Sequence, residues 1–145
     1  MSVRPARAGD AGAIAGVLAQ LGYPIGEAAV SARLASVAGD GRSAALVSER
    51  DGRVTGVLTL HVLPVLHEPG GWCRITALVV DESARRRGAG RELVAEAEAI
   101  ARAAGCARIE VTSALHRGGA HELYLRMGFE QVSEHFLKRL DGRDG

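Results

Sequence analysis

The chain has 145 residues, 47% of them hydrophobic and 24% charged, with a net charge of +1. That length supports one core and is short for two, and so small a charge argues against a general nucleic-acid binder, which carries a large basic excess. No apolar run approaches the ~20 residues that span a bilayer, and residues 1–7 lack the apolar stretch of a secretion signal. The expectation is one cytoplasmic domain over residues 1–145, with no membrane and no nucleic acid among its partners. Cys73 and Cys106 lie far apart, without a C-x-x-C pair or histidines at metal spacing, which predicts two reduced thiols and no metal site.

Residues 3–6 read as a short first strand. Asp10 suits a helix cap, and Ile14, Val17, Leu18 and Leu21 form an i, i+3, i+4, i+7 face. Gly22-Tyr23-Pro24 breaks that helix; a second spans about 27–37, with Val30, Leu34 and Val37 inward. Gly39-Asp40-Gly41 ends it, and the hydrophobic period changes from helical to alternating. Residues 43–49 and 54–62 read as strands joined around Asp51-Gly52, a good hairpin signal. A loop with Pro64 and Pro69-Gly70-Gly71 leads into a strand at about 72–80. A long helix then runs from Gly88 to a terminal cap at Gly105, with Leu93, Ala97, Ile100 and Ala104 on one face. A strand at 108–112, a short helix at 119–127 and a last pair of strands at 129–133 and 135–140 follow. The expected fold is α/β: a mixed, mostly antiparallel sheet of about six to seven strands with about four helices.

The start of the long helix carries the strongest chemical signal. Arg85-Arg86-Arg87-Gly88-Ala89-Gly90 follows the strand-like run Ile75-Thr76-Ala77-Leu78-Val79-Val80. A helix amino end already bears about half a positive charge and unpaired N–H groups, so acidic residues normally collect there. Three arginines oppose that preference by ~0.3–1 kcal/mol each, and a bound polyanion reverses the sign. The glycines let phosphate oxygens approach backbone N–H groups unobstructed. A solvated basic turn is the plainer reading, but strand, glycine loop and amphipathic helix in this order favour a phosphate site.

With R-x-x-G-x-G filled by Arg85, Gly88 and Gly90, this order resembles the GNAT-type N-acetyltransferase superfamily. A second segment agrees: Ala120-His121-Glu122-Leu123-Tyr124-Leu125-Arg126-Met127-Gly128-Phe129 is similar to the family's A-x-x-x-Y-x-x-x-G-F. The resemblance implies an acetyl-CoA site between fourth and fifth strands that splay apart. It implies that the amides of Gly88, Ala89 and Gly90, with Arg85, Arg86, Arg87 and Arg91, hold the pyrophosphate. The backbone of Leu78, Val79 and Val80 would pair with the pantetheine arm. Arg117 is a further phosphate candidate, although His116-Arg117 stand where many relatives place an asparagine.

Acetyl transfer to an amine poses two proton problems. An amine of pKa ~10.4 is neutral about once in 2,500 molecules at pH 7, so a base is useful, and the departing thiolate needs a donor. Tyr124 matches the family's tyrosine beside the leaving sulfur; its phenol is the weaker acid, so it reads first as a hydrogen-bond donor. Many relatives carry a carboxylate near the positions held here by Thr76 and Ala77, neither of which takes up a proton at neutral pH. Candidate replacements are Glu110, His61 and the His67-Glu68 pair, and a water chain or an amine of lowered pKa is an alternative to all of them. His121 is a candidate neighbour of Tyr124. The acceptor, a small-molecule or protein amine, would meet His61, His67, Glu68 and Trp72, with Tyr23 a further wall candidate; a homodimer is left open. Two other functions compete. A dinucleotide oxidoreductase would use Glu110 on the ribose, but Leu93 replaces its third glycine and the antiparallel first half is wrong for it. A noncatalytic CoA-binding sensor is favoured by the missing fourth-strand carboxylate.

Overall fold

In the computed structural model, residues 2–85, 87–111, 120–132 and 135–143 are described. Five strands form one sheet in the order β1 (Ser2–Pro5), β2 (Ser43–Arg50), β3 (Arg53–Val65), β4 (Glu68–Val80) and β5 (Arg108–Val111). The first four pair antiparallel, and β5 joins β4 in parallel. A parallel neighbour needs a crossover, supplied by α3 (Ala89–Ala103); α1 (Ala11–Gln20) and α2 (Glu27–Ala38) lie between β1 and β2, and α4 (Ala120–Arg126) follows β5.

Strand alternation sorts the core into two layers. Val47, Val57 and Val79 meet Ile14 and Val17 of α1 and Val30 of α2. Leu46, Leu58, Leu60, Cys73 and Ile75 meet Leu93, Val94, Ala97 and Ala101 of α3. Helices on both faces explain why the middle strands are rich in Val, Leu and Ile instead of alternating with polar residues. Both cysteines are free, and burial pushes the Cys73 thiol up to about 11.

Three expectations are corrected. Asp10 precedes α1, yet its carboxylate caps no helix amide there; it accepts from Arg7 N at 2.7 Å and from both Arg4 Nη atoms, at 2.8 and 2.9 Å. Its own backbone is already helical, at φ −85° and ψ −8°, so the carboxylate caps the preceding 3-10 turn Ala8–Asp10 through Arg7 N and not α1. The loop expected around residues 64–71 is instead the tip of a long hairpin that turns at Leu66 and His67, with Val65 opposite Glu68. The prolines fall where the register shifts, and Gly70, at φ 80°, presses so close to the Gly105 carbonyl that a Cβ would lie 1.8 Å from its oxygen. The terminal strands at 129–133 and 135–140 are absent among the described residues, so the sheet has five strands, not six to seven. Val132, Phe136, Leu137 and Leu140 stay exposed: alternation alone makes no strand without a neighbouring ladder and a face to cover. Residues 112–119, where β5 would part from β4, lie outside the described residues; the ladder is described from Trp72 opposite Arg108 to Ile75 opposite Val111.

Candidate active site

Thr59 lies opposite Ala77 but Leu60 lies opposite Ile75, so Thr76 is an extra residue in β4. A bulge of this kind re-aims a side chain. Here it turns the exposed Thr76 onto the face of Thr59 and His61, where Oγ1 lies 2.8 Å from Thr59 Oγ1 and 3.1 Å from His61 Nε2. The other ring nitrogen, Nδ1, lies 2.8 Å from Ser43 Oγ, which donates to Asp40 Oδ2 at 2.9 Å.

Beyond the bulge β4 continues through Leu78, Val79 and Val80 to Asp81, whose amide donates to Thr55 O at 2.8 Å. The buried Asp81 carboxylate accepts from Ser83 N and Oγ at 2.8 and 2.7 Å, from Gln20 Nε2 at 3.0 Å and from Arg53 Nη2 at 3.2 Å. Led by the Ser83 hydroxyl, these donors outweigh desolvation and hold its carboxyl at about 2. The carboxylate thus ties the turn Glu82–Ala84 to β3 and α1 and sets the direction in which the arginine run leaves the sheet.

Gly88 caps α3 at φ 88°, ψ 0°, a left-handed conformation that costs other residues ~1–2 kcal/mol, and having no side chain it makes no cap hydrogen bond to the helix amides. Arg85, Arg87 and Arg91 are exposed around this end, while Ala89 is buried. At Gly90 a Cβ would lie 3.1 Å from Leu123 Cδ2 and 3.8 Å from Val80 Cγ2. That contact joins three segments remote in sequence: the end of β4, the start of α3, and α4. Tyr124, the next residue of α4, is half-buried with its ring 5.8 Å from that of Phe129, and burial raises its phenol pKa. A phenol so placed stays protonated at neutral pH and keeps its hydrogen to donate.

Other candidates lie apart. Glu110 Oε1 is held by Arg74, at 2.7 Å from Nε and 2.6 Å from Nη2. His67 packs edge-on against Trp72 at 5.7 Å and lies 3.7 Å from Glu68, while the Arg108 guanidinium covers the Trp72 ring at 3.4 Å. Trp72 Nε1 is buried without a hydrogen-bond partner among the described residues. This cluster sits roughly 26 Å along β4 from Val80, at ~3.3 Å per residue. Tyr23 is exposed after α1, and Arg86, His116 and Arg117 lie outside the described residues. A cleft of about 300 Å³ between β1, β2, α2 and α3 includes Leu34, Val37 and Ile100 and lies away from the Gly88 turn. Sequence reasoning missed Asp40, Ser43, Thr59, Gln20 and Asp81. The signal for Ser43 and Thr59 was polarity inside otherwise apolar strands.

The chain belongs to the acetyltransferase (GNAT) family, whose profile matches residues 18–129. It is similar to an aminoalkylphosphonate N-acetyltransferase of Salmonella typhimurium, 37% identical over 91 residues that make up 63% of this chain and 59% of that protein. The match thus spans about three fifths of that relative's length. A putative acetyltransferase from Agrobacterium tumefaciens has a similar structure, with TM-score 0.82, 25% identity, and 96% of this chain and 99% of that one covered. The aminoglycoside N-acetyltransferase AAC(6')-Iy, solved in complex with CoA, shares the fold at TM-score 0.76 and 16% identity, over 95% of this chain and 98% of that one. No helix among the described residues is long and apolar enough to cross a membrane.

Proposed function

We propose that residues 1–145 form an N-acetyltransferase domain that takes acetyl from acetyl-CoA and passes it directly to a primary amine within a ternary complex. The observation that carries this reading is the contact at Gly90, which brings the arginine–glycine turn, the end of β4 and the tyrosine helix together. In this reading the amides of Gly88, Ala89 and Gly90 and the side chains of Arg85, Arg86, Arg87, Arg91 and Arg117 hold the pyrophosphate. The left-handed cap at Gly88 supports it, since a glycine at this position puts no capping side chain of its own over the helix amides. Leu78, Val79 and Val80 offer backbone to the pantetheine arm; β4 outruns the described part of β5 by these residues and by Thr76 and Ala77. Bound acetyl-CoA supplies the activated acyl group, and Tyr124 donates a hydrogen bond to the sulfur that leaves.

The acceptor class is a small-molecule amine, supported by the name of the Salmonella relative, with a protein amine as the other arm of the test. The chemistry fits the cytoplasm, where acetyl-CoA is made and used. A panel of aminoalkylphosphonates, aminoglycosides, polyamines and amino-terminal peptides, followed by thiol release from acetyl-CoA, is the direct experiment. Turnover with one class and not the others identifies the acceptor. Binding of CoA without thiol release from acetyl-CoA in the presence of any amine would instead support a noncatalytic sensor, and failure to bind CoA would end the reading altogether.

A further inference from the structure

We infer that His61 is the proton acceptor for the amine, reached through the Thr76 hydroxyl, and that Asp40 and Ser43 fix His61 in the tautomer that accepts. This rests on the acetyltransferase reading above and names the base which that reading lacks.

Hydrogen-bond directions follow from one end of the chain. The Arg42 amide and the Ser43 hydroxyl hold the Asp40 carboxyl below its ordinary value, so it is an ionised group that only accepts. Ser43 therefore spends its single hydrogen on Asp40 Oδ2 and has only lone pairs left for His61 Nδ1. Neutral His61 must carry its hydrogen on Nδ1, which leaves Nε2 as an acceptor. Thr76, 3.1 Å away, donates to Nε2, and Thr59 in turn donates to Thr76. A hydroxyl has two lone pairs; Thr59 uses one on Thr76, and the second faces solvent on an exposed side chain.

That lone pair is where an ammonium can donate. Its N–H bond breaks as an O–H bond forms on Thr76, while the previous Thr76 hydrogen moves to Nε2. The products are a neutral amine, its lone pair free for the thioester carbonyl, and an imidazolium, with Thr76 unchanged. Protons and charge balance without another reactant. The new positive charge stays on the imidazolium, whose Nδ1–H donates to Ser43 Oγ, and the Asp40 carboxylate behind Ser43 stabilises it, much as an acid orients and stabilises a catalytic histidine elsewhere without taking its proton. Arg74 is the cross-strand neighbour of His61 and opposes that charge, but Glu110 is paired to Arg74 on its far side. Arg42, another cation beside Asp40, directs its Nε to Val62 O at 3.3 Å. Thr76 itself takes up no proton at equilibrium, yet the bulge places it to pass one on.

The test uses the full chain. In ¹⁵N histidine spectra at neutral pH, His61 should show the Nδ1–H form. Ser43→Ala should convert it to Nε2–H or a mixture, and Ser43→Thr should restore it. With the amine identified by thiol release, His61→Gln and Thr76→Val should each lower kcat about a hundredfold and remove the acid limb of the pH–rate profile. Acetyl-CoA affinity should stay within about twofold, and the double variant should be no slower than either single one, as for groups acting as a unit. An Nε2–H tautomer in the wild-type chain overturns the assignment of Asp40 and Ser43. Full turnover with an intact acid limb in His61→Gln overturns the proton transfer. A wild-type chain that binds CoA but acetylates no amine removes the acetyltransferase reading and the proton transfer with it, while the tautomer measurement still decides the hydrogen-bond lock.

Discussion

Replacing Asp81 with Asn tests whether one buried carboxylate organises the turn that precedes α3. The side chain accepts four hydrogen bonds, three from side chains and one from the Ser83 amide. Those donors hold its carboxyl at about 2, against 3.8 ordinarily. At ~1.4 kcal/mol per pKa unit, the difference corresponds to about 2 kcal/mol of folding stability at neutral pH. The sign follows from the depressed value: the contribution is complete above about pH 4 and is lost as the pH falls through about 2. Asn keeps the volume but turns an NH₂ toward the Gln20 and Arg53 donors, so the loss should be about 1–3 kcal/mol, the cost of stranding a buried polar group. Urea unfolding at pH 7 and again near pH 3 measures it: Asp81→Asn should be less stable at pH 7, and the gap to wild type should narrow in acid. Acetyl-CoA affinity should fall as well, because the turn that launches the arginines is no longer tied through this side chain to Gln20 and Arg53. A variant within about 0.5 kcal/mol of wild type at pH 7, with the same acid dependence, would refute the reasoning.

Other outcomes are expected from the same geometry. Arg85→Glu should weaken acetyl-CoA binding about tenfold or more at low salt, with the deficit shrinking as salt rises; titration calorimetry at two ionic strengths reads it, and unchanged affinity removes Arg85 from the phosphate site. Tyr124→Phe should reduce kcat more than it changes the Kd for acetyl-CoA, and equal turnover would remove the phenol from the reaction. Gly70→Ala should destabilise the fold by about 2 kcal/mol or more, since its Cβ would lie 1.8 Å from the Gly105 oxygen at a left-handed φ; an unshifted Tm would contradict the packing of the hairpin tip on α3.

Local signals were readable wherever neighbours in sequence settle the conformation. Asp51 and Gly52 take φ of 53° and 76°, as a two-residue hairpin turn asks, and α3 runs from Ala89 to Ala103 with Leu93 and Ala97 buried as its apolar spacing predicts, although Val94 and Ala101 complete the buried face and Ala104 is exposed beyond the helix end. The turn at Gly88 was legible because glycine there answers a backbone demand. What escaped the sequence depends on distant partners. Asp10 closes a 3-10 turn ahead of α1 and pairs with Arg4. The tip of the β3–β4 hairpin looks like a proline-rich loop until Gly70 finds Gly105. The same holds for His61: its nearest polar groups, Ser43 and Thr76, are 18 and 15 residues away in sequence and meet it only through the strand register and one extra residue in β4. Alternating apolar residues at the carboxy-terminal end promised strands and delivered exposed side chains, for want of a surface to cover.

Helix α3 is clamped at both ends: Gly90 sits against Leu123 and Val80, and past the other end Gly105 abuts Gly70 while the Ala107 amide reaches the Gly71 carbonyl at 2.9 Å. One residue added within it would swing everything downstream by about 100° and advance it ~1.5 Å. Neither clamp could absorb that. The loops of this protein can drift in length, but the span from Ala89 to Ala103 has none to spare.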